Sequence, residues 1–213
     1  MFPLSVTVTW LGHSCFKLCY DGFSVVIDPY DNTCNYPPLN TKANAVYCSH
    51  FHHDHCYTQA VTIAENKNNP FNVTKVLCAH DQNGGRERGE NIIHIFEADG
   101  IRIAHFGDLG HMLSEEQITL LGHCDCVLIP IGSVYTIDAL FAFELFKKLD
   151  ADIFIPMHYK TDKFGFDVID GIDSLLSVWN ISPVNKIEFN SIQINKNNKK
   201  QLAILQFEPE RKR

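Results

Sequence analysis

The sequence has no excess of positive charge and no long apolar run, and both absences limit the classes of protein it can belong to. Its 213 residues contain 18 lysines and arginines against 25 acidic residues, for a net charge of −7. A broad basic surface for nucleic acid is therefore not expected. Because no apolar stretch is long enough to cross a bilayer, we expect no membrane partner either.

Export signals and paired metal-binding cysteines are also missing. The first six residues lack the basic segment, the long apolar segment and the small-residue cleavage site of a secretory signal. Eight cysteines occur, but no Cys-x-x-Cys pair. We therefore expect reduced thiols in a cytoplasmic protein, several of them packed as small apolar side chains.

The composition is that of an ordinary folded chain, with 45% hydrophobic and 20% charged residues. There is no detectable repeat and no low-complexity tract. The length is enough to bury a substantial core, and we expect residues 1–213 to form a single domain.

The strongest signal in the sequence is the histidine-rich stretch at residues 49–55. It reads His-x-His-x-Asp-His through His50, His52, Asp54 and His55. Side chains alternate along an extended chain, so the first two histidines should point to one side. Imidazole and carboxylate ligands suit zinc, manganese or iron, and this spacing can serve two adjacent ions. An exposed polar cluster with Asp54 as a helix cap is the alternative, but four histidines within six residues argue against it.

Strands and helices are expected in both halves of the chain. Two hairpins are predicted, one across Asp21-Gly22 and one across residues 98–100, and a capping box is predicted from Ser114 to Gln117. The other predicted elements are strands at 5–10, 45–48, 73–79, 127–131 and 153–156, helices at 57–65, 138–149 and within 167–179, and a terminal hairpin of 186–194 with 201–207. This pattern favours a layered α/β protein with its site along one edge of the sheets.

Several polar residues directly follow predicted strands. Asp108 lies between two nearby glycines, which would let the backbone aim its carboxylate into a cleft, although a turn aspartate is the simpler reading. Asp28 could start a turn or support a metal ligand. His13 could equally be a structural histidine or a group that faces the site. His80 and His158 also come at strand ends.

These residues resemble the motifs of the metallo-β-lactamase fold superfamily, and the likeness runs over most of the chain. More narrowly, residues 11–14, 107–111, 135–139 and 156–160 are similar to a branch of small metal-dependent hydrolases related to the L-ascorbate-6-phosphate lactonases. The resemblance implies an α/β (α+β) fold, arranged as a four-layer αβ/βα sandwich. It also implies a dinuclear metal site at the edge that two sheets share.

The resemblance assigns the metal ligands residue by residue. His50, His52 and His80 would hold one divalent ion, Asp54, His55 and His158 the second, and Asp108 would bridge them. Zinc is expected, with manganese or iron as alternatives. His80 is preferred to His94 and His105 because it directly follows a buried strand. Asp54, Asp108 and His158 are the expected catalytic residues, and Asp28 is expected to support a ligand.

The implied activity is hydrolysis of a small ester, lactone or phosphoester by a water molecule that the metal ions activate. Pocket candidates are His13, Tyr135, Lys160, Arg86 and Arg88. Lys160 and the two arginines would suit an anionic substrate. A phosphodiesterase or nuclease of the same fold, and a metal-binding protein without catalytic activity, are the alternatives. Oligomerisation is left open.

Overall fold

The computed structural model describes residues 4–65 and 67–207. The strands, in chain order, are β1 (Val6–Gly12), β2 (Cys15–Tyr20), β3 (Phe23–Ile27), β4 (Thr41–Ala43), β5 (Ala45–Tyr47), β6 (Val61–Ile63), β7 (Asn72–Ala79), β8 (Glu90–Ala98), β9 (Ile101–His105), β10 (Cys124–Pro130), β11 (Ala151–Met157), β12 (Val184–Ile187), β13 (Ser191–Ile194) and β14 (Gln201–Leu205). The α-helices are α1 (Glu115–Leu121), α2 (Ala139–Lys148) and α3 (Ile172–Val178). Two 3₁₀ turns lie at Asn32–Cys34 and Thr58–Ala60.

The strands form two large sheets and one small one. The five-stranded sheet has the order β13-β1-β2-β3-β5, and the seven-stranded sheet has the order β12-β14-β11-β10-β9-β8-β7. Strands β9, β10 and β11 run parallel to one another in the middle of the larger sheet, and β4 pairs with β6 separately. The carboxyl ends of β9, β10 and β11 therefore meet at one edge, where an α/β protein usually places its site.

The two large sheets pack face to face through a shared apolar core. Phe16 of β2 lies 5.9 Å from the His105 ring of β9, and Tyr47 of β5 lies 5.2 Å from Phe96 of β8, between ring centroids. One buried cluster includes residues from both sheets. Helices cover the outer side of the larger sheet, where α2 contacts α3 and β10. The predicted mixed α/β fold class is confirmed.

Every residue of β10 is buried, because this strand lies in the middle of the larger sheet and helix α2 packs on it. Both predicted hairpins form, as β2 with β3 and β8 with β9. The capping box at Ser114 and Gln117 also forms. In α2 the buried residues include Leu145 and Phe146, whereas Phe141 is 41% exposed.

Two predictions of local structure were wrong. Residues 57–65 do not form a helix: a 3₁₀ turn leads into β6, which pairs with β4. The stretch contains Thr58, Val61, Thr62 and Ile63, and β-branched side chains favour strands over helices. The terminal hairpin does not form either, because β13 pairs with β1 in the five-stranded sheet while β14 pairs with β11 and β12 in the other.

In the part of the chain that the structure describes, no helix is long and apolar enough to cross a membrane.

The loop after β9 passes close to the rest of the chain at two glycines. A Cβ atom on Gly107 would overlap the side chains of Ser49 and Asn91, and one on Gly110 would overlap the backbone of His80 and Asp81. Gly107 also has a φ of 54°, which glycine adopts without strain. The glycines on either side of Asp108 thus permit the close packing that surrounds it.

We predict that Gly110→Ala lowers the free energy of unfolding by about 2 kcal/mol or more, since its methyl group would overlap backbone that cannot move aside cheaply. Urea unfolding of the purified variant measures this. Gly171→Ala is the matched control, because its Cβ would meet only the Lys160 carbonyl oxygen, at 3.3 Å. Equal stability of the two variants would contradict the prediction.

Candidate metal centre

The histidine-rich segment forms a compact turn directly after β5. The amides of His55 and Cys56 both donate hydrogen bonds to the carbonyl oxygen of His52, at 3.0 and 2.9 Å. The turn brings the His55 ring to 4.3 Å from the His50 ring, between ring centroids. Asp54 and His55 belong to one group of candidate ligand atoms, and His50 and His52 belong to another.

One group of imidazoles contains His50, His52 and His80. One ring nitrogen from each lies within 4.8 Å of the others. His50 and His80 are buried, and His52 is exposed. His80 follows β7, and its amide donates to the Gly89 carbonyl oxygen at 3.0 Å.

A second group contains His13, Asp54, His55 and His158, again with ligand atoms within 4.8 Å. His13 and His158 each follow a strand, β1 and β11, and each has a left-handed backbone with φ near 50°. The His158 amide lies 3.4 Å from the His13 carbonyl oxygen that accepts its hydrogen bond. This contact joins the two large sheets at the site. His13, which sequence reasoning left open, therefore faces the site.

Asp108 lies between the two groups. Its Oδ2 atom is 3.2 Å from His55 Nε2, 3.2 Å from His158 Nε2 and 3.4 Å from His80 Nε2. Asn91 fixes the loop, because its side-chain oxygen accepts the Asp108 amide at 3.0 Å. One carboxylate thus contacts imidazoles from both groups.

Asp28 lies behind the centre, where it is fully buried and holds two of the histidines in place. It accepts hydrogen bonds from the Ser49 amide and the Ser49 hydroxyl, both at 2.6 Å, and its Oδ2 is 2.8 Å from His55 Nδ1. The Ser49 hydroxyl is in turn 2.9 Å from His50 Nδ1. These contacts leave the Nε2 atom of each histidine facing the site.

The carboxylates of the site are ionised. Burial opposes ionisation of Asp28, but His105 and the hydrogen bond with His55 lower its pKa to about 2. Burial likewise opposes ionisation of Asp108, yet His158 and His55 hold its pKa well below the usual range. The same holds for Asp54, whose pKa is lowered chiefly by His55 against the effect of burial.

Most of the perturbed imidazoles are neutral near pH 7. Burial and the neighbouring His158 lower the pKa of His13 to about 4, and burial with His55 lowers that of His50 to about 3. Burial also lowers the pKa of His80. His55 is the exception: burial would lower its pKa, but Asp108 and Asp54 raise it well above the ordinary value. A metal ion on His55 must therefore displace a proton.

The donor set fits divalent metal ions. Within the described chain, buried atoms without a hydrogen-bond partner include His50 Nε2, His55 Nε2, His158 Nε2 and Asp108 Oδ1. Buried polar atoms in proteins are normally satisfied, so four such atoms close together are consistent with a site for a bound cation. Imidazole nitrogen and carboxylate oxygen are donors that zinc, manganese and iron accept.

His105 and His94 were the alternatives to His80, and both have other surroundings. Both ring nitrogens of His105 have hydrogen-bond partners: Nε2 lies 2.8 Å from the Ser14 carbonyl oxygen, and Nδ1 accepts the Gly107 amide at 3.1 Å. His94 packs between Tyr47 and Phe96. Neither belongs to the two groups above, whereas His80 does.

The residues proposed for the pocket also differ in position. The Tyr135 ring lies 6.5 Å from the His158 ring, beside the site. Lys160 does not join it: its Nζ is 2.8 Å from Asp167, and it lines a separate groove with Trp10 and Phe207. Arg88 lines the cavity that His80 borders, whereas Arg86 is exposed.

Sequence reasoning missed Ser49 and Asn91. Ser49 precedes the first histidine of the motif and bridges Asp28 to His50. Asn91 is the second residue of β8 and holds the Asp108 loop. Ser49 could have been suspected from its place beside the motif, but the position of Asn91 depends on strand pairing between distant segments.

The chain matches the family model described as the β-lactamase superfamily domain over residues 7–158, and it belongs to this family. It is similar to a protein named a metal-dependent hydrolase from Thermoplasma acidophilum, with 29% identity across 78% of this chain and 86% of that one. A protein of the same name from Archaeoglobus fulgidus is also 29% identical, across 72% and 83% of the two chains.

Solved structures agree. A metallo-β-lactamase superfamily protein from Thermotoga maritima, described as a candidate zinc-dependent hydrolase, superposes with a TM-score of 0.70 and 29% identity over 94% of this chain and 100% of that one. A metallo hydrolase from Ignicoccus hospitalis shares the fold, with a TM-score of 0.56 and 22% identity over 81% and 91% of the two chains. The predicted superfamily, and its class of metal-dependent hydrolases, are therefore confirmed.

We predict that stability falls as the pH drops from about 6.5 to 4 in the metal-free protein. Burial lowers the pKa of His94 to about 4, so the unfolded chain takes up a proton there while the folded chain does not. Each such histidine contributes a slope of about 1.4 kcal/mol per pH unit within this window.

His94 lies outside both groups of ligand atoms. His94→Phe should reduce the slope of unfolding free energy against pH by about 1.4 kcal/mol per pH unit, which corresponds to close to one proton. Urea unfolding at several pH values between 4 and 7, with a chelator present, measures it. The slopes of the two proteins are compared, so a difference in their absolute stability does not affect the result. An unchanged slope would show that folded His94 binds its proton as readily as the unfolded chain does.

Proposed function

We propose that this metal-dependent hydrolase uses two divalent metal ions to cleave a small ester, lactone or phosphoester. The observation that carries the proposal is the position of Asp108, whose Oδ2 atom contacts His80 of one histidine group and His55 and His158 of the other at 3.2–3.4 Å. A carboxylate in that place suits a bridge between two ions.

In this proposal His50, His52 and His80 hold one ion, and Asp54, His55 and His158 hold the second. Divalent ions at the centre would act as Lewis acids that lower the pKa of water and polarise the substrate oxygen. Zinc is the proposed metal, with manganese or iron as alternatives that the same donors accept. The description of the Thermotoga maritima protein as a candidate zinc-dependent hydrolase supports zinc.

The chain's own residues have separate tasks around the reacting centre. Asp28 and Ser49 orient His55 and His50, so that the ring nitrogens face the ligand. Asp108 is almost fully buried and would supply negative charge to bound cations. Asp54, whose side chain is 18% exposed, is the carboxylate that water and substrate can reach. We assign it the task of orienting the attacking water, from which its carboxylate would accept a hydrogen bond.

The same proposal includes a small-molecule substrate, preferably anionic, and a cytoplasmic location. All eight cysteines are free in the structure, and five of them are buried. Reduced thiols are what the cytoplasm maintains.

We predict that Asp108→Asn lowers the metal content by about one ion per chain and hydrolysis by more than about 100-fold, since loss of even a residue that only supports a ligand costs 10–100-fold. Elemental analysis of untagged protein and a panel of esters, lactones and phosphodiesters measure both. Asp162→Asn, an exposed change of the same kind, is the control. Two ions per chain in the Asp108→Asn protein would rule out the bridging assignment.

Asp28→Asn should weaken metal binding by about 10–100-fold without removing a proposed ligand. An amide cannot accept all three hydrogen bonds of the carboxylate, so the ring of His55 loses its fixed orientation. Competition with a chromogenic chelator measures the affinity, again with Asp162→Asn beside it. An affinity equal to that of the wild type would mean that Asp28 serves the fold alone.

A further inference from the structure

A cavity of about 260 Å³ opens beside the candidate metal centre. His80 belongs both to the cavity wall and to the first histidine group, so a molecule in the cavity would touch the centre. The opposite wall includes Tyr135, whose ring lies 6.5 Å from that of His158. Arg88 is the one arginine or lysine among the residues that line the cavity.

The loop that carries Arg88 is held by the residue next to His80. Both oxygens of the Asp81 carboxylate accept backbone amides: Oδ1 accepts Asn83 and Gly85 at 2.7 and 3.0 Å, and Oδ2 accepts Glu87 and Arg88 at 3.0 and 2.8 Å. The loop is therefore fixed to the strand end that presents His80.

The Arg88 guanidinium spans the cavity from this loop to the segment after β10. Its central carbon lies 5.8 Å from the centre of the Tyr135 ring, a distance at which cation–π attraction operates. One Nη atom donates to the Val134 carbonyl oxygen at 3.4 Å, a long hydrogen bond. Guanidinium has five N–H donors, so most of them remain available to a ligand.

The neighbouring carboxylates do not satisfy this cation. Asp81 directs its oxygens to four backbone amides. Glu87 is 4.0 Å from Arg88 Nη1, is 55% exposed, and accepts a hydrogen bond from Asn83. An exposed ion pair at that distance contributes little. Lys160, a second cation predicted for the pocket, is paired with Asp167 away from the site.

We propose that Arg88 binds a negatively charged oxyanion of the substrate, a carboxylate or a phosphate, beside the metal centre, and that Tyr135 holds the guanidinium in place. This inference rests on the proposed hydrolase function and narrows its substrates to anionic esters, lactones or phosphoesters. A guanidinium fork matches both oxyanions, since two parallel N–H donors meet two oxygens.

The first experiment compares a neutral and an anionic ester, 4-nitrophenyl acetate and 4-nitrophenyl hemisuccinate, on the metal-loaded protein. Arg88→Ala should lower kcat/KM for the anionic ester by about 10-fold or more, as expected when a charge-assisted hydrogen bond is lost. For the neutral ester the change should stay within about 3-fold. For Arg88→Lys, kcat/KM for the anionic ester should lie between those of the wild type and Arg88→Ala. Lysine keeps the positive charge but lacks the two parallel N–H donors of the guanidinium.

Arg86→Ala is the matched control, an arginine of the same loop that is exposed and outside the cavity lining. It should leave the preference for the anionic ester unchanged. Tyr135→Phe should also keep most of that preference, since the ring that faces the guanidinium remains. Equal losses for both esters in Arg88→Ala, or equal effects of Arg86→Ala and Arg88→Ala, would overturn the proposal.

A binding measurement separates this inference from the hydrolase function. Inorganic phosphate is titrated into metal-loaded wild type, Arg88→Ala and Arg86→Ala by calorimetry, with metal content and thermal stability checked for each. We expect the Kd to rise by about 10-fold or more in Arg88→Ala alone, and the effect to weaken with added salt. An unchanged Kd in Arg88→Ala would overturn the inference even if hydrolysis is found. If no ester is hydrolysed but phosphate binding still depends on Arg88, the hydrolase proposal fails and the anion site stands.

Discussion

The buried carboxylate of Asp108 is the constraint on which the rest of the site depends. A charge removed from water is costly unless ionised or hydrogen-bonded partners surround it. Here the partners are imidazoles delivered by three separate parts of the chain: His55 from the turn after β5, His80 from the end of β7 and His158 from the end of β11. The five-stranded and seven-stranded sheets must therefore meet at this edge for these imidazoles to surround the carboxylate.

Local sequence patterns predicted the loops that carry the proposed ligands because each is defined by a strand followed by a polar residue at a turn. Asp108 and His158 follow the largely buried strands β9 and β11, and His50 follows the half-buried strand β5, so that information lies within a few residues of each. The glycines beside Asp108 were a local signal too, and the structure shows that they permit close packing against Ser49 and His80. The family resemblance supplied the fold and the grouping of ligands, which spacing alone left open.

What sequence could not supply was pairing between distant segments. Strand β13 pairs with β1 in the five-stranded sheet, whereas β14 lies in the seven-stranded sheet. The two strands that resemble a hairpin in the sequence therefore lie in different sheets. Lys160 and Tyr135 were equivalent as pocket candidates, yet Lys160 is directed to Asp167 and Tyr135 to the His158 side. Nothing within a few residues of either distinguishes them. The strand at Val61–Ile63 also depends on a partner, β4, that only the folded chain provides.

The charges around the centre are arranged unevenly, and this has a consequence for the substrate. Asp28, Asp54 and Asp108 provide negative charge that two divalent cations would more than offset, leaving a site of net positive charge for a bound molecule. Arg88 adds one further positive charge, on a loop that Asp81 ties to the strand end carrying His80. Because the same short segment positions a proposed metal ligand and the cationic group, the distance between them is set by hydrogen bonds to one carboxylate. A substrate that contacts both Arg88 and the metal centre would be held with its reacting bond at the metals. Such positioning lowers the activation barrier because the reacting groups are already oriented.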